Sequence, residues 1–191
     1  MNWLPRYNYI LASKSPRRQE LLRLLGLEFS VKIKEADEVF PDGLSKCEIP
    51  EFLALLKAKP VLPELQENDL LITADTIVYL EGEVLGKPAN EQEAIQMLQK
   101  LSGKEHQVIS GVCLSSVHKQ VAFHAETNVR FKELKESEIQ YYVTTFKPFD
   151  KAGAYGIQEW IGFIGITNIE GSFYNVMGLP IQKLYEEILR F

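Results

Sequence analysis

The chain has 191 residues, 46% apolar and 25% charged, with a formal net charge of −5. That length buries a sizeable core as one domain or two small lobes, and the acidic balance argues against a general nucleic-acid or anionic-membrane surface. Cys47 and Cys113 lie far apart and form neither a disulfide framework nor a metal knuckle; with no signal-like apolar core in residues 1–9 and no apolar run of about 18 residues, a soluble cytoplasmic protein without membrane or nucleic-acid partners is expected.

In chain order, the apolar run Tyr7 to Ala12 reads as a strand. Ser13-Lys14-Ser15-Pro16-Arg17-Arg18 follows, and Leu21, Leu22, Leu24 and Leu25 then recur up to Gly26, which is the order strand, tight loop, helix. Ser15 stands where an N-cap belongs, and Pro16 in the first turn, where its missing N–H costs nothing. Phe29 to Ile33 is strand-like and precedes an acidic segment, Glu35-Ala36-Asp37-Glu38. A helix is predicted over Glu51 to Lys59, stopping before Pro60. Leu70 to Leu80 reads as a long buried strand, with Glu81-Gly82 as the turn of a hairpin returning through Glu83-Val84-Leu85. Asn90-Glu91-Gln92-Glu93 opens a helix in capping-box style that ends near Leu101, ahead of Ser102-Gly103. His106 to Ser115 and Val121 to Phe131 pair as antiparallel strands, and Glu136 to Thr144 is helical. Gly153 to Gly171 is glycine-spaced and expected to contain strands; a last helix runs from Pro180 to about Leu189. Helices and strands alternate without a strict βαβ period, so an α/β fold with a mixed sheet is predicted.

Six places carry chemistry. Ser13, Ser15, Arg17 and Arg18 gather hydroxyls, guanidiniums and helix-start N–H groups at one point, which suits a polyphosphate; a capped surface helix with solvated arginines fits the same residues. Asp75-Thr76 interrupts a continuous apolar strand, and a carboxylate there demands a partner: backbone N–H groups, a hard cation such as Mg²⁺ or Mn²⁺, or a water to activate. Lys87 is fixed between Gly86 and Pro88, and Lys57 lies among leucines on the predicted helix; a turn lysine and a snorkelling lysine are the plain readings. Glu35, Asp37 and Glu38 could add oxygens to a cation site that Asp75 alone cannot complete. In Asp150 to Gln158, dense small residues permit close backbone approach to a ligand or another strand, and the Gln158 amide has the donor and acceptor to read a nucleobase edge; a tight glycine-rich crossover with a surface glutamine fits the same residues. The histidines lack metal spacing, and no Gly-x-Ser-x-Gly elbow occurs, so neither a zinc enzyme nor a covalent hydrolase is supported.

Ser13-x-Ser15-Pro16-Arg17-Arg18, Leu53-Ala54-x-x-Lys57-Ala58, Ala74-Asp75-Thr76, Gly86-Lys87-Pro88, Leu101-Ser102-Gly103-Lys104, Asp150 to Gln158 and Gly178-Leu179-Pro180, in this order, resemble the Maf family of nucleotide pyrophosphatases over nearly the whole chain. The resemblance implies one two-lobed domain over residues 1–191. Its elongated mixed sheet would be flanked by helices as in inosine triphosphatases, with the cleft between the lobes. It also implies divalent-metal-dependent hydrolysis of a nucleoside triphosphate to monophosphate and pyrophosphate. By position, Asp75 matches the family's proton acceptor and Glu38 its second carboxylate, with Glu35 the competitor; these two would hold the metal. Ser13, Arg17, Lys57 and Lys87 match phosphate-facing positions, and Arg17, Thr76 and Gln158 those that set base choice. Asp75-Thr76 with the late loop resembles the subgroup acting on dTTP and UTP; the 7-methyl-GTP subgroup usually has Gln where Thr76 stands. A homodimer and a part in nucleotide-pool sanitation or cell-division arrest are expectations of the same resemblance. The alternative from another class is a non-catalytic nucleotide-binding regulator of septum formation.

Overall fold

A computed structural model describes residues 4–36 and 38–191. Its strands and helices alternate as β1 (Asn8–Leu11), α1 (Pro16–Leu24), β2 (Phe29–Val31), α2 (Glu48–Ala58), β3 (Asp69–Leu80), β4 (Glu83–Leu85), α3 (Glu91–Leu101), β5 (Glu105–Ser115), β6 (Gln120–Phe131), α4 (Glu136–Phe146), α5 (Trp160–Gly165), β7 (Ile166–Glu170), α6 (Phe173–Met177) and α7 (Ile181–Arg190). Among the described residues the strands form one seven-stranded mixed sheet in the order β2-β1-β3-β5-β6-β7, with β4 paired to β3. Strand β1 runs parallel to both β2 and β3, whereas β3–β4 and β6–β7 are antiparallel. The fold is therefore α/β with a mixed sheet, as the alternation predicts.

The chain divides into two compact units. The first takes in the chain up to Thr76, Ser110–Ala125 and Gly178–Phe191; the second comprises Ile77–Ile109 and Glu126–Met177. Strands β3, β5 and β6 each pass from one unit into the other along the chain. In the first unit Ile10, Ala58, Val61 and Leu71 form a buried cluster joining β1, β3 and the end of α2. In the second, Val78, Leu98, Val129, Phe131, Tyr142 and Ile161 belong to a larger core.

Local signals account for most element ends. Ser15 caps α1, its hydroxyl accepting the Arg18 N–H at 3.4 Å. The Asn90 side chain caps α3 by accepting the Glu93 N–H at 3.0 Å, while the Glu93 carboxylate reaches back to the Ala89 N–H at 2.8 Å. Glu81 and Gly82 have φ of 49° and 95°, the paired positive values of a type I′ hairpin turn.

Three expectations are corrected. Helix α2 starts at Glu48 rather than Glu51, because Pro50 falls within the first turn and loses no hydrogen bond there, and the Glu48 carboxylate accepts the Ser45 N–H at 2.7 Å. Strand β2 stops at Val31, two residues short of the predicted end. Within Gly153 to Gly171 only Ile166–Glu170 is a strand, and Trp160–Gly165 is helical. Gly162 is there for close approach, since a Cβ would stand 1.9 Å from the Ile157 carbonyl oxygen.

Candidate functional site

In the first unit the loop after β1 delivers Ser13 and Ser15 to the start of α1. Ser13 is buried, and its hydroxyl accepts the Ser15 N–H at 3.2 Å. Arg18, one turn into α1, is the knot of this region. Its Nη1 donates to the Ala74 carbonyl at 2.8 Å and to Ser13 Oγ at 3.5 Å, its Nε to the Gly178 carbonyl at 2.8 Å, and its Nη2 to Thr76 Oγ1 at 3.1 Å. Burial lowers the Arg18 pKa, opposed by the charges of Asp75 and Glu38, and a guanidinium so placed stays charged. The Ala74 and Thr76 contacts bracket Asp75, so Arg18 braces the strand that presents this carboxylate. Thr76 Oγ1 also lies 2.8 Å from Ser110 Oγ and 3.4 Å from the Gly178 carbonyl oxygen, so protein partners occupy its hydroxyl. Arg17 is half-buried beside it on α1.

Helix α2 meets β3 through the Thr73 hydroxyl, which donates to the Ala54 carbonyl at 2.7 Å. Residues two apart on a strand share a face, as do residues three apart on a helix. The Thr73–Ala54 bond therefore brings Asp75 opposite Lys57, and these two form a salt bridge. Lys57 Nζ also lies 3.2 Å from Glu38 Oε1. Asp75 is buried and Glu38 half-exposed, yet both carboxylates converge on one ammonium nitrogen. Glu35 is exposed, and Asp37 lies outside the described residues.

Lys87 and Gln158 belong to the second unit and are described there. Lys87 is exposed, between exposed Gly86 and buried Pro88, and the Gly86 carbonyl accepts the Gly153 N–H at 3.0 Å. Gln158 is half-buried, and its Oε1 is buried with no hydrogen-bond donor among the described residues. His106, stacked on Phe131, shares a 2.7 Å hydrogen bond with the Tyr155 hydroxyl. Burial pushes the His106 pKa down to about 4.

A sequence-family profile described as "Maf-like protein" matches residues 8–191. The chain belongs to the Maf family. A protein of Phocaeicola vulgatus named dTTP/UTP pyrophosphatase is 55% identical over 186 residues, covering 97% of this chain and 96% of the relative. One of Parabacteroides distasonis with the same name is 52% identical, covering 98% of each chain. Among solved structures, the Staphylococcus aureus Ham1 protein aligns at 16% identity with a TM-score of 0.47, covering 65% of this chain and 71% of that one.

For this Maf-family chain the donor chemistry of the first-unit cluster decides which cation it suits. Asp75 and Glu38 offer only carboxylate oxygens, which favour a hard ion such as Mg²⁺ or Mn²⁺. Among the described residues no group of three or more His, Cys, Asp or Glu side chains gathers at ligand spacing, so the pair would share a cation with phosphate or water oxygens. Sequence reasoning missed Ser110 and the Ala74 and Gly178 carbonyls as parts of the site. A backbone acceptor carries no residue-type signal, and Ser110 sits in an apolar strand with no motif around it.

Proposed function

We propose that the protein hydrolyses dTTP and UTP to the monophosphate and pyrophosphate. The observation that carries this reading is the convergence of Asp75 and Glu38 on Lys57, beside a Ser13–Arg18 loop anchored on either side of Asp75. Relatives named for this reaction at more than half identity over nearly the full length support it.

Ser13, Ser15 and Arg17 take the phosphates at the start of α1. Asp75 accepts the proton of a water whose oxygen attacks the α-phosphorus. The new P–O bond forms as the α–β bridging bond breaks, and its electron pair leaves with pyrophosphate. Lys57 pairs with Asp75 and offers positive charge to the phosphates, and Glu38 shares that lysine. Asp75 and Glu38 would hold a divalent cation, which supplies Lewis-acid neutralisation of phosphate charge when bound. Arg18, four of whose five N–H groups meet protein acceptors, acts chiefly by positioning.

Gln158 reads the base. The imide N3–H of thymine and uracil is a donor that an amide oxygen accepts, whereas N3 of cytosine is itself an acceptor. Thr76 sets base choice through Arg18 and Gly178. Homodimerisation and a nucleotide-pool role are supported by the family resemblance alone, and a cytoplasmic location by the isolated Cys47 and Cys113.

The test is pyrophosphate release by purified protein with Mg²⁺ or Mn²⁺ across dTTP, UTP, CTP, ATP, GTP and 7-methyl-GTP. Release from dTTP and UTP that stops on chelation is the expected result. Turnover of 7-methyl-GTP alone would overturn the specificity, and nucleotide binding without any release would favour the regulator.

A further inference from the structure

Among the described residues nothing hydrogen-bonds the Gln158 amide oxygen to aim it, so its placement depends on the backbone around it. That backbone is held from α4. Tyr142 is fully buried, its ring stacked on Phe146 with centroids 5.1 Å apart. Its hydroxyl accepts the Gly156 N–H at 3.0 Å and donates to the Glu159 carboxylate. The other Glu159 oxygen lies 3.0 Å from Nζ of buried Lys151, which also meets Asp150 at 2.7 Å. Both sides of the Ile157-Gln158 dipeptide are thereby tied to one side chain that lies outside every motif of the sequence. Burial and the Glu159 charge raise the Tyr142 pKa well above the usual tyrosine range, so the hydroxyl keeps its proton and its donor role. Gly156 is suited to this contact, since a Cβ there would stand 2.7 Å from Glu159 Cδ.

We propose that Tyr142 is a positioning residue for nucleobase recognition: by joining Gly156 to the Lys151-held Glu159, its hydroxyl fixes the segment from which Gln158 reads the pyrimidine imide. The proposal rests on the reading that Gln158 contacts the base. It makes selectivity between imide and amidine pyrimidines depend on an oxygen that touches no substrate.

The variant Y142F removes that oxygen and leaves the ring in the core. Its dTTP-over-CTP ratio of kcat/KM is expected to fall about 10-fold, the effect of losing one hydrogen bond to a charged group. The loss should lie in KM, with kcat down less than about 3-fold. Tripolyphosphate, a competitor without a base, should keep its inhibition constant within about 2-fold, because no phosphate contact changes. The variant G156A, which displaces Glu159 by another route, should lower the same ratio and stands in should Y142F fold poorly. An unchanged ratio in both variants overturns the proposal, as does a rise in the tripolyphosphate constant parallel to KM. Absence of dTTP hydrolysis in the wild type would sink the functional reading itself, and the proposal with it. A selective wild type with unaltered variants sinks the proposal alone.

Discussion

Replacing Arg18 by alanine tests the brace most directly. The change removes charged donors from the Ala74 and Gly178 carbonyls, both bonded at 2.8 Å, and from Thr76 Oγ1 at 3.1 Å. A hydrogen bond to a charged group contributes about 1.5–3 kcal/mol. Arg18 is partly exposed, so water recovers some of each bond, and the expected loss is about 3–5 kcal/mol. For a chain of this length that corresponds to a fall in Tm of roughly 10 °C. Urea unfolding and calorimetry measure it. Turnover should fall by about 100-fold or more, since a carboxylate displaced by as little as about 1 Å loses its alignment with the attacking water. Added guanidinium should restore part of the activity of R18A. In R18K one ammonium satisfies only one of the two carbonyls, which predicts roughly half the stability loss. An R18K protein equal to wild type in stability and turnover would refute the brace.

D75N should lower kcat by at least about 1000-fold while circular dichroism stays that of the wild type; near-normal turnover would remove Asp75 as the base. His106 is neutral in the fold, with a pKa of about 4 against 6.5 when unfolded. The unfolded chain therefore takes up more protons between these values, and stability falls as pH drops through that window, by on the order of 3 kcal/mol. Urea midpoints from pH 7 to 4 should show a shallower decline in H106L than in wild type, and equal slopes would contradict the assignment. G111A should destabilise by about 2 kcal/mol or more, because a Cβ on Gly111 would meet the Pro50 backbone at 2.2 Å; a wild-type melting temperature would show that α2 shifts freely.

Short-range features of this fold were legible in the residues. Ser15 and Pro16, Asn90 and Glu93, and Glu81-Gly82 each act within about four positions, so their types alone announce two helix starts and a hairpin. The long apolar run around Asp75 marked both a strand and a carboxylate in need of a partner. Glycine spacing misled between residues 153 and 171, because glycine serves a strand and a crowded helix start alike, and only the Ile157 carbonyl shows which applies at Gly162. Pro50 likewise concealed the first turn of α2, since proline is tolerated at a helix start as readily as it ends a helix.

The residue types by themselves determined which groups were available: a phosphate-suited helix start, two carboxylates, two lysines and an amide in a glycine-rich loop. Tertiary structure alone decided how they are paired. Arg18 meets Gly178 across 160 positions of chain, Thr76 meets Ser110 across 34, and Tyr142 meets Glu159 across 17. None of these separations has a local period, and the acceptor at Gly178 is a backbone carbonyl that every residue carries. Such pairings exist only once the strands have set their register, which is why no local pattern announced that Arg18 bonds the Ala74 and Gly178 carbonyls and Thr76 Oγ1.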